Sequence, residues 1–326
     1  MKAIVYDQPG DESVLKIGDA PDPAPSSNQL LIRNHAAGIN RADLMQREGN
    51  YPPPPGASEI LGLECAGEVV AVGADVKGWK PGDRAMALIP GGGYAEKAVV
   101  HFGSAIKIPK AISIEEAGGI PEVYLTAFLN LFMLGEIPDG GWALVHGGGS
   151  GVGTAAIQML REAGMHSIVT AGSDEKCRQC VEFGADVAIN YKSGPFAPQV
   201  KEATGGRGVD VLLDIIGAPY LDQNLDSLTR GGRMILVSLM KGRRGEIDLG
   251  KIQRNHLRVI GSTLRSRPVE EKAAIVTSFL RRFGAALEAG RIRPPIYKTV
   301  PLAQAAEAHR MMAASEHFGK IILKIE

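Results

Sequence analysis

The chain has 326 residues, 44% of them hydrophobic and 22% charged, which is enough apolar material for the cores of two ordinary domains. Lys+Arg and Asp+Glu each number 36, so the formal charge is zero and nothing draws the chain to a phosphate backbone or an anionic membrane surface. With 3 cysteines there is no disulfide framework, no apolar run is long enough for a bilayer, and residues 1–6 lack the apolar core of a signal peptide, so a reducing cytoplasm is the expected location.

Up to about residue 120 the chain reads as short strands at 3–6, 29–36, 67–72 and 84–89. Between them stand Pro9-Gly10, Pro81-Gly82, Pro90-Gly91 and four consecutive prolines at 52–55, the punctuation of an irregular β domain. From Trp142 strands alternate with helices: strands at 142–146, 167–171, 187–191, 209–216, 233–238 and 259–264, and helices at 152–163 and 175–183. Strands apolar on both faces belong to a parallel sheet covered by helices on each side, here doubly wound. A long helix at 269–289, a helix at 303–313 and a last strand at 320–325 follow, and that strand is expected to rejoin the first domain.

The strand at 142–146 runs into Gly147-Gly148-Gly149-Ser150-Gly151-Val152-Gly153 and then into a helix. In that order, strand, glycine turn and helix bring bare N–H groups and the positive helix end against a pyrophosphate. Set against G-x-G-x-x-G, Gly148 and Gly153 are the outer glycines and Ser150 replaces the middle one. The second strand runs into Thr170-Ala171-Gly172-Ser173 rather than into the acidic residue that usually takes the ribose hydroxyls of NAD. Ser173, Lys176 and Tyr191 suit a 2′-phosphate, so NADPH is the expected cofactor; Asp174 is an objection if its carboxylate points inward.

Further stretches carry a resemblance. They are Asn40-Arg41-Ala42-Asp43-Leu44-Met45-Gln46-Arg47 with Tyr51, Leu61-Gly62-Leu63-Glu64, Trp79-Lys80-Pro81-Gly82-Asp83, Gly91-Gly92-Gly93-Tyr94-Ala95-Glu96, Pro121-Glu122, Leu125-Thr126-Ala127-Phe128 and Leu264-Arg265-Ser266-Arg267. Together they resemble the quinone oxidoreductases of the medium-chain dehydrogenase/reductase superfamily, most of all the p53-inducible branch, essentially end to end. The resemblance implies an α/β protein: a GroES-like β domain at 1–122 completed by 291–326, and a Rossmann doubly wound parallel sheet at 123–290, with the active site in the cleft between them. It implies a homodimer formed through the edge strands of the Rossmann sheets, here 259–264. Besides Gly148, Ser150 and Gly153, it implies NADPH contacts from Thr126, Gly151, Val152, Ser173, Lys176, Tyr191, Gly217, Leu239, Met240, Thr263, Leu264, Arg265 and Lys320.

Zinc-dependent relatives in that superfamily ligate a catalytic zinc with Cys and His, and often carry a second, four-cysteine site. Here Asn40 stands at the first cysteine's position and Leu63 at that of the histidine, Glu64 is kept, and the four-cysteine lobe is missing, so no metal is expected. Cys177 and Cys180, one helical turn apart, and Cys65 read as small packed residues, and His146 as structural. The nicotinamide is expected to face Asn40, Asp43 and Tyr51 and to pass hydride to a quinone. Charge building on the substrate oxygen then needs a donor, and Asn40 and Tyr51 are the candidates by type. Two alternatives stay open: an NADPH-dependent reductase of activated C=C bonds (enones or enoyl thioesters, with Arg41, Arg47 and Arg265 available to a phosphorylated carrier), and a crystallin-like NADPH-binding protein with little turnover. Some relatives bind RNA, which the neutral charge gives little support.

Overall fold

Buried side chains alternate with less buried ones from Gln29 to Ala36, with Asn34 among the buried, and the strand Gln29–Gly38 joins Glu64–Val72 at the centre of a seven-stranded sheet. The computed structural model describes residues 1–326, which fall into two units: Met1–Leu125 with Leu264–Glu326, and Thr126–Thr263. No helix is long and apolar enough to cross a membrane.

The sheet of the first unit runs Ile296–Pro301, Lys320–Lys324, Gln29–Gly38, Glu64–Val72, Arg84–Leu88, Ala105–Lys107, with Lys97–His101 also paired to Gln29–Gly38. The expected return of the terminal strand is seen: Lys320–Lys324 pairs antiparallel with Gln29–Gly38, Ile322 opposite Gly38. Ile321, Ile322 and Leu323 are wholly buried there. Burial of each such side chain stabilises by about 1.5–3 kcal/mol, so the strand is an integral part of the core.

The second unit carries a six-stranded sheet, parallel throughout, ordered Val187–Asn190, His166–Ala171, Trp142–His146, Val209–Asp214, Leu228–Leu236, Arg258–Gly261. This is the doubly wound order in which the chain reverses direction of travel beside its first strand, between Trp142–His146 and Val209–Asp214. Leu144, Ile168, Leu212 and Met234 fill one face with Phe196 and Val200 from the helix Phe196–Ala203. The edge strand Arg258–Gly261 pairs on one side only, and Val259 on it is 39% exposed.

Some boundaries differ from the pattern reading, each for a local reason. The strand expected to reach residue 216 stops at Asp214, because the Asp214 carboxylate accepts the N–H groups of Ile216 and Gly217 and turns the chain. The helix Val269–Glu288, expected in the second domain, belongs to the first unit. It lies against the turn Phe102–Ser104 so closely that a Cβ on Gly103 would meet Ala273 Cβ at 2.7 Å. Two helices with no apolar period to announce them, Arg41–Arg47 and Pro121–Phe128, carry residues of the candidate site.

Candidate functional site

The glycine turn of the second unit is built as the sequence implies. Gly147 has φ +76°, a left-handed conformation that glycine takes at no steric cost. Ser150 is the N-cap of the helix Gly151–Glu162, its hydroxyl accepting from Gly153 N at 3.0 Å. The replaced middle glycine is therefore a cap, with its side chain turned to the helix. The N–H groups of Gly151 and Val152 have no intrahelical carbonyl to bond and remain at the positive end of the helix. A Cβ on Gly153 would lie 2.3 Å from Gly147 O, so only glycine lets the helix sit this near the turn.

His146, at the end of the strand feeding the turn, is buried between Thr170 Oγ1 (3.0 Å from Nδ1) and Asn224 Oδ1 (2.8 Å from Nε2). Asn224 Oδ1 only accepts, so Nε2 carries the proton and Nδ1 accepts from the Thr170 hydroxyl. Burial lowers its pKa to about 4. It braces the turn as a neutral imidazole.

The remaining cofactor candidates of this unit cluster by strand end. Ser173 caps the helix Asp174–Phe183 by accepting from Lys176 N, and Tyr191, partly exposed, follows the strand Val187–Asn190. The Tyr191 hydroxyl reaches over Gly172, where a Cβ would lie 2.8 Å from it. Asp174, the objection to a 2′-phosphate, accepts from Asn190 Nδ2 at 2.8 Å and so is engaged by the protein. Gly217 (φ +91°) packs beneath Gly242 O and Leu239, while Leu239 and Met240 are exposed. Thr126 is buried, Thr263 exposed, and both lie at the limits of the unit.

In the first unit the candidates converge on a buried charge network. Glu64 is 0% exposed. Its Oε1 accepts from Lys320 Nζ (2.7 Å) and Asn40 Nδ2 (2.9 Å), and its Oε2 accepts from Glu122 N (2.9 Å). Lys320 also donates to Ile39 O and Asn40 Oδ1, which commits all three of its donors inside the protein. Asn40 Nδ2 further donates to Gly38 O (3.3 Å), so both of its N–H groups are taken. Asn40 therefore orients Glu64; it has no free donor for a substrate oxygen. Lys320 likewise acts as an internal counter-ion with none left for a ligand.

Asp43 is equally enclosed. Its carboxylate accepts from Asn40 N (2.8 Å), Gly62 N (3.2 Å) and the Tyr94 hydroxyl (3.0 Å), and burial raises its pKa to about 6. Behind it, Arg47 contacts His309 Nδ1 and Tyr94 contacts Nε2, both at 3.2 Å. The arginine can only donate, so the relay runs Arg47 to His309 to Tyr94 to Asp43. Burial and the Arg47 charge lower the His309 pKa to about 3.

Tyr51 is different: half-buried, it uses only its carbonyl, which accepts from Arg265 Nη1 at 3.2 Å. Arg265 lies over the Tyr51 ring at 5.2 Å and also holds Pro90 O and Gln46 Oε1, a clamp on the proline-rich loop. Leu264 is buried beside it in sequence. Burial, then Glu122, keeps the Tyr51 phenol above its ordinary pKa and so protonated.

The two buried histidines predict an acid limb. Unfolded, each protonates near the ordinary 6.5; native, they wait until about 4 and 3, so the unfolded chain binds more protons in that window and stability falls as pH drops from about 6.5. His309→Gln should flatten the decline of the urea midpoint between pH 6.5 and 4 relative to wild type. An identical slope would show that His309 is protonated in the native state.

Glu122 and the pairing of Glu64 with Lys320 were not anticipated. In the sequence Glu64 is only a retained acid and Lys320 only an expected cofactor contact. No group of three or more His, Cys, Asp or Glu residues could hold a metal ion. Cys65 and Cys180 are buried thiols pushed up to about 12 by burial, and Cys177, partly buried, is also raised.

Residues 26–110 match the alcohol dehydrogenase GroES-like domain family, and residues 151–280 match the zinc-binding dehydrogenase family. The quinone oxidoreductase of Rattus norvegicus is 33% identical over 99% of this chain and 97% of its own length. Among solved structures, the Escherichia coli quinone oxidoreductase complexed with NADPH is similar at TM-score 0.88 and 28% identity, with 100% of both chains covered. An NAD-dependent alcohol dehydrogenase is similar at TM-score 0.87 and 30% identity, again with 100% of both chains covered.

Proposed function

Since the chain belongs to the quinone oxidoreductase family of the medium-chain dehydrogenase/reductase superfamily, we propose that it reduces quinones with NADPH and without a metal. The members of that family are NAD(P)H-dependent oxidoreductases, and so is this chain. A dinucleotide is supported by the glycine turn at the switch point of the parallel sheet, whose helix end is capped by Ser150 and leaves first-turn N–H groups that suit a pyrophosphate. Ser173, Lys176 and Tyr191 supply hydroxyls and a cation suited to a 2′-phosphate, and the Asp174 carboxylate, which would repel one, is bound to Asn190. The donor set supports metal-free chemistry: Asn40 and Leu63 are poor zinc ligands, and the Glu64 carboxylate already carries an ammonium.

When bound, the reduced nicotinamide supplies a hydride. The Tyr51 phenol, protonated and without a hydrogen bond to the chain, donates to the acceptor oxygen as negative charge grows there. Tyr51→Phe should leave NADPH affinity unchanged by fluorescence titration and lower kcat by about 10- to 100-fold, the worth of one hydrogen bond to a charged group. A kcat equal to wild type would take Tyr51 out of this role.

The deciding experiment is NADPH oxidation against a panel of quinones and enones, with NADH as control. Turnover confined to enones would favour reduction of activated C=C bonds, and binding without turnover would favour a cofactor-binding protein. The same reading pairs the half-open strand Arg258–Gly261 with its copy in a homodimer, and a monomer in sedimentation would remove that part.

A further inference from the structure

Glu122 has no task in that reading, yet its surroundings are unusual. Pro121 opens the helix Pro121–Phe128 and Glu122 sits in its first turn. A carboxylate there is ordinarily stabilised by the helix dipole. Here the Glu122 N–H goes instead to Glu64 Oε2, at 2.9 Å. Its own Oε2 is sealed from water with no hydrogen-bond partner, while the residue as a whole stays partly exposed. An ionised carboxylate would carry a heavy cost with one oxygen buried and unpaired; a neutral acid carries far less.

The charged groups around it come from every neighbouring element. Glu64, on the strand Glu64–Val72, and Asp43, on the helix Arg41–Arg47, oppose its ionisation. Lys320, on the strand Lys320–Lys324, and Arg265 favour it. The charge of Glu122 is felt in turn by Tyr51 and by Lys272 on the helix Val269–Glu288. Burial and the two carboxylates outweigh the two cations, and the acid is pushed up to about 8.

We propose that Glu122 supplies the proton that completes reduction of the acceptor, an inference that rests on the oxidoreductase reading. Hydride addition puts two electrons on the acceptor and leaves an anion. The Glu122 O–H bond breaks, its proton passes to that anion, and Glu122 is left as a carboxylate. A proton from solvent then restores the acid, so the net consumption is one reduced nicotinamide and one proton per acceptor. Tyr51 polarises the acceptor oxygen, and Glu122, the stronger acid, gives the proton.

The test uses the full chain, NADPH, and the quinone or enone that wild type reduces fastest. Glu122→Gln, nearly isosteric, should keep NADPH affinity, lower kcat on the order of 10²-fold, and lose the fall in kcat that wild type shows as pH rises through about 8. Infrared spectra of the ligand-free protein should show a protonated-carboxyl band at neutral pH that disappears through the same range and is missing in Glu122→Gln. No such band in wild type, or Glu122→Gln with wild-type kcat and the same alkaline limb, overturns the proposal. If Glu122→Gln cannot fold, Glu122→Asp decides: a displaced alkaline limb supports the role, and a limb and kcat matching wild type overturn it. A wild type that reduces no quinone or enone overturns the functional reading and the role with it. Turnover by wild type that Glu122→Gln matches overturns the role alone.

Discussion

Lys320→Met is expected to destabilise the protein by about 3–5 kcal/mol, the cost of leaving one partner of a buried ion pair alone. The Lys320 ammonium is 1% exposed, and Glu64 faces it from 2.7 Å with no access to water. Methionine fills much of the volume and supplies none of the three donors, so the Glu64 carboxyl would be left with only Asn40 Nδ2 and Glu122 N. The melting temperature should fall on the order of 10 °C. Adding Glu64→Gln to Lys320→Met should recover most of the loss, because the buried charge is gone together with its counter-ion. A single variant that melts with wild type would show that the ammonium does not offset the Glu64 charge.

Gly153→Ala is the second large effect, and it falls on cofactor binding. The new methyl would meet two backbone oxygens, Gly147 O at 2.3 Å and Gly148 O at 2.6 Å, neither of which can rotate away. The helix Gly151–Glu162 must then withdraw from the turn and take its first N–H groups with it. Overpacking of this kind costs about 1–3 kcal/mol, and alanine's better helix propensity offsets at most about 1. NADPH affinity by fluorescence titration should drop on the order of 100-fold at the upper end of that range. Gly284→Ala, whose Cβ would find only Leu280 Cβ at 3.9 Å, is the control that should leave affinity alone.

The parallel sheet was legible because its signal is local. Trp142-Ala143-Leu144-Val145-His146 is apolar on both faces, a turn of glycines follows, and an amphipathic helix comes next, so each segment declares itself within a dozen residues. The turn residues Gly148, Ser150, Gly151, Val152 and Gly153 come together for the same reason. Helix Arg41–Arg47 was not legible, since its seven residues form too short a pattern. What tethers its start is Asp43 reaching back to Asn40 N.

The charge network was hidden for a deeper reason. Glu64 meets Lys320 across 256 positions of sequence and Glu122 across 58. No window of sequence holds all three, and an acid's proton affinity is set by such neighbours rather than by its residue type. Asn40 and Asp43 stand out by residue type, yet their donors and acceptors turn inward.

The pairing of Lys320–Lys324 with Gln29–Gly38 also constrains how the chain reaches its native state. The partners stand at opposite ends of the sequence, with the whole of Thr126–Thr263 between them. That inserted unit draws only on contiguous residues and can condense early. Once condensed, it shortens the effective loop that the outer segments must close, which lowers the entropy lost when they meet. The fastest route is thus one in which the nucleotide unit forms first and the split β sheet zips up last.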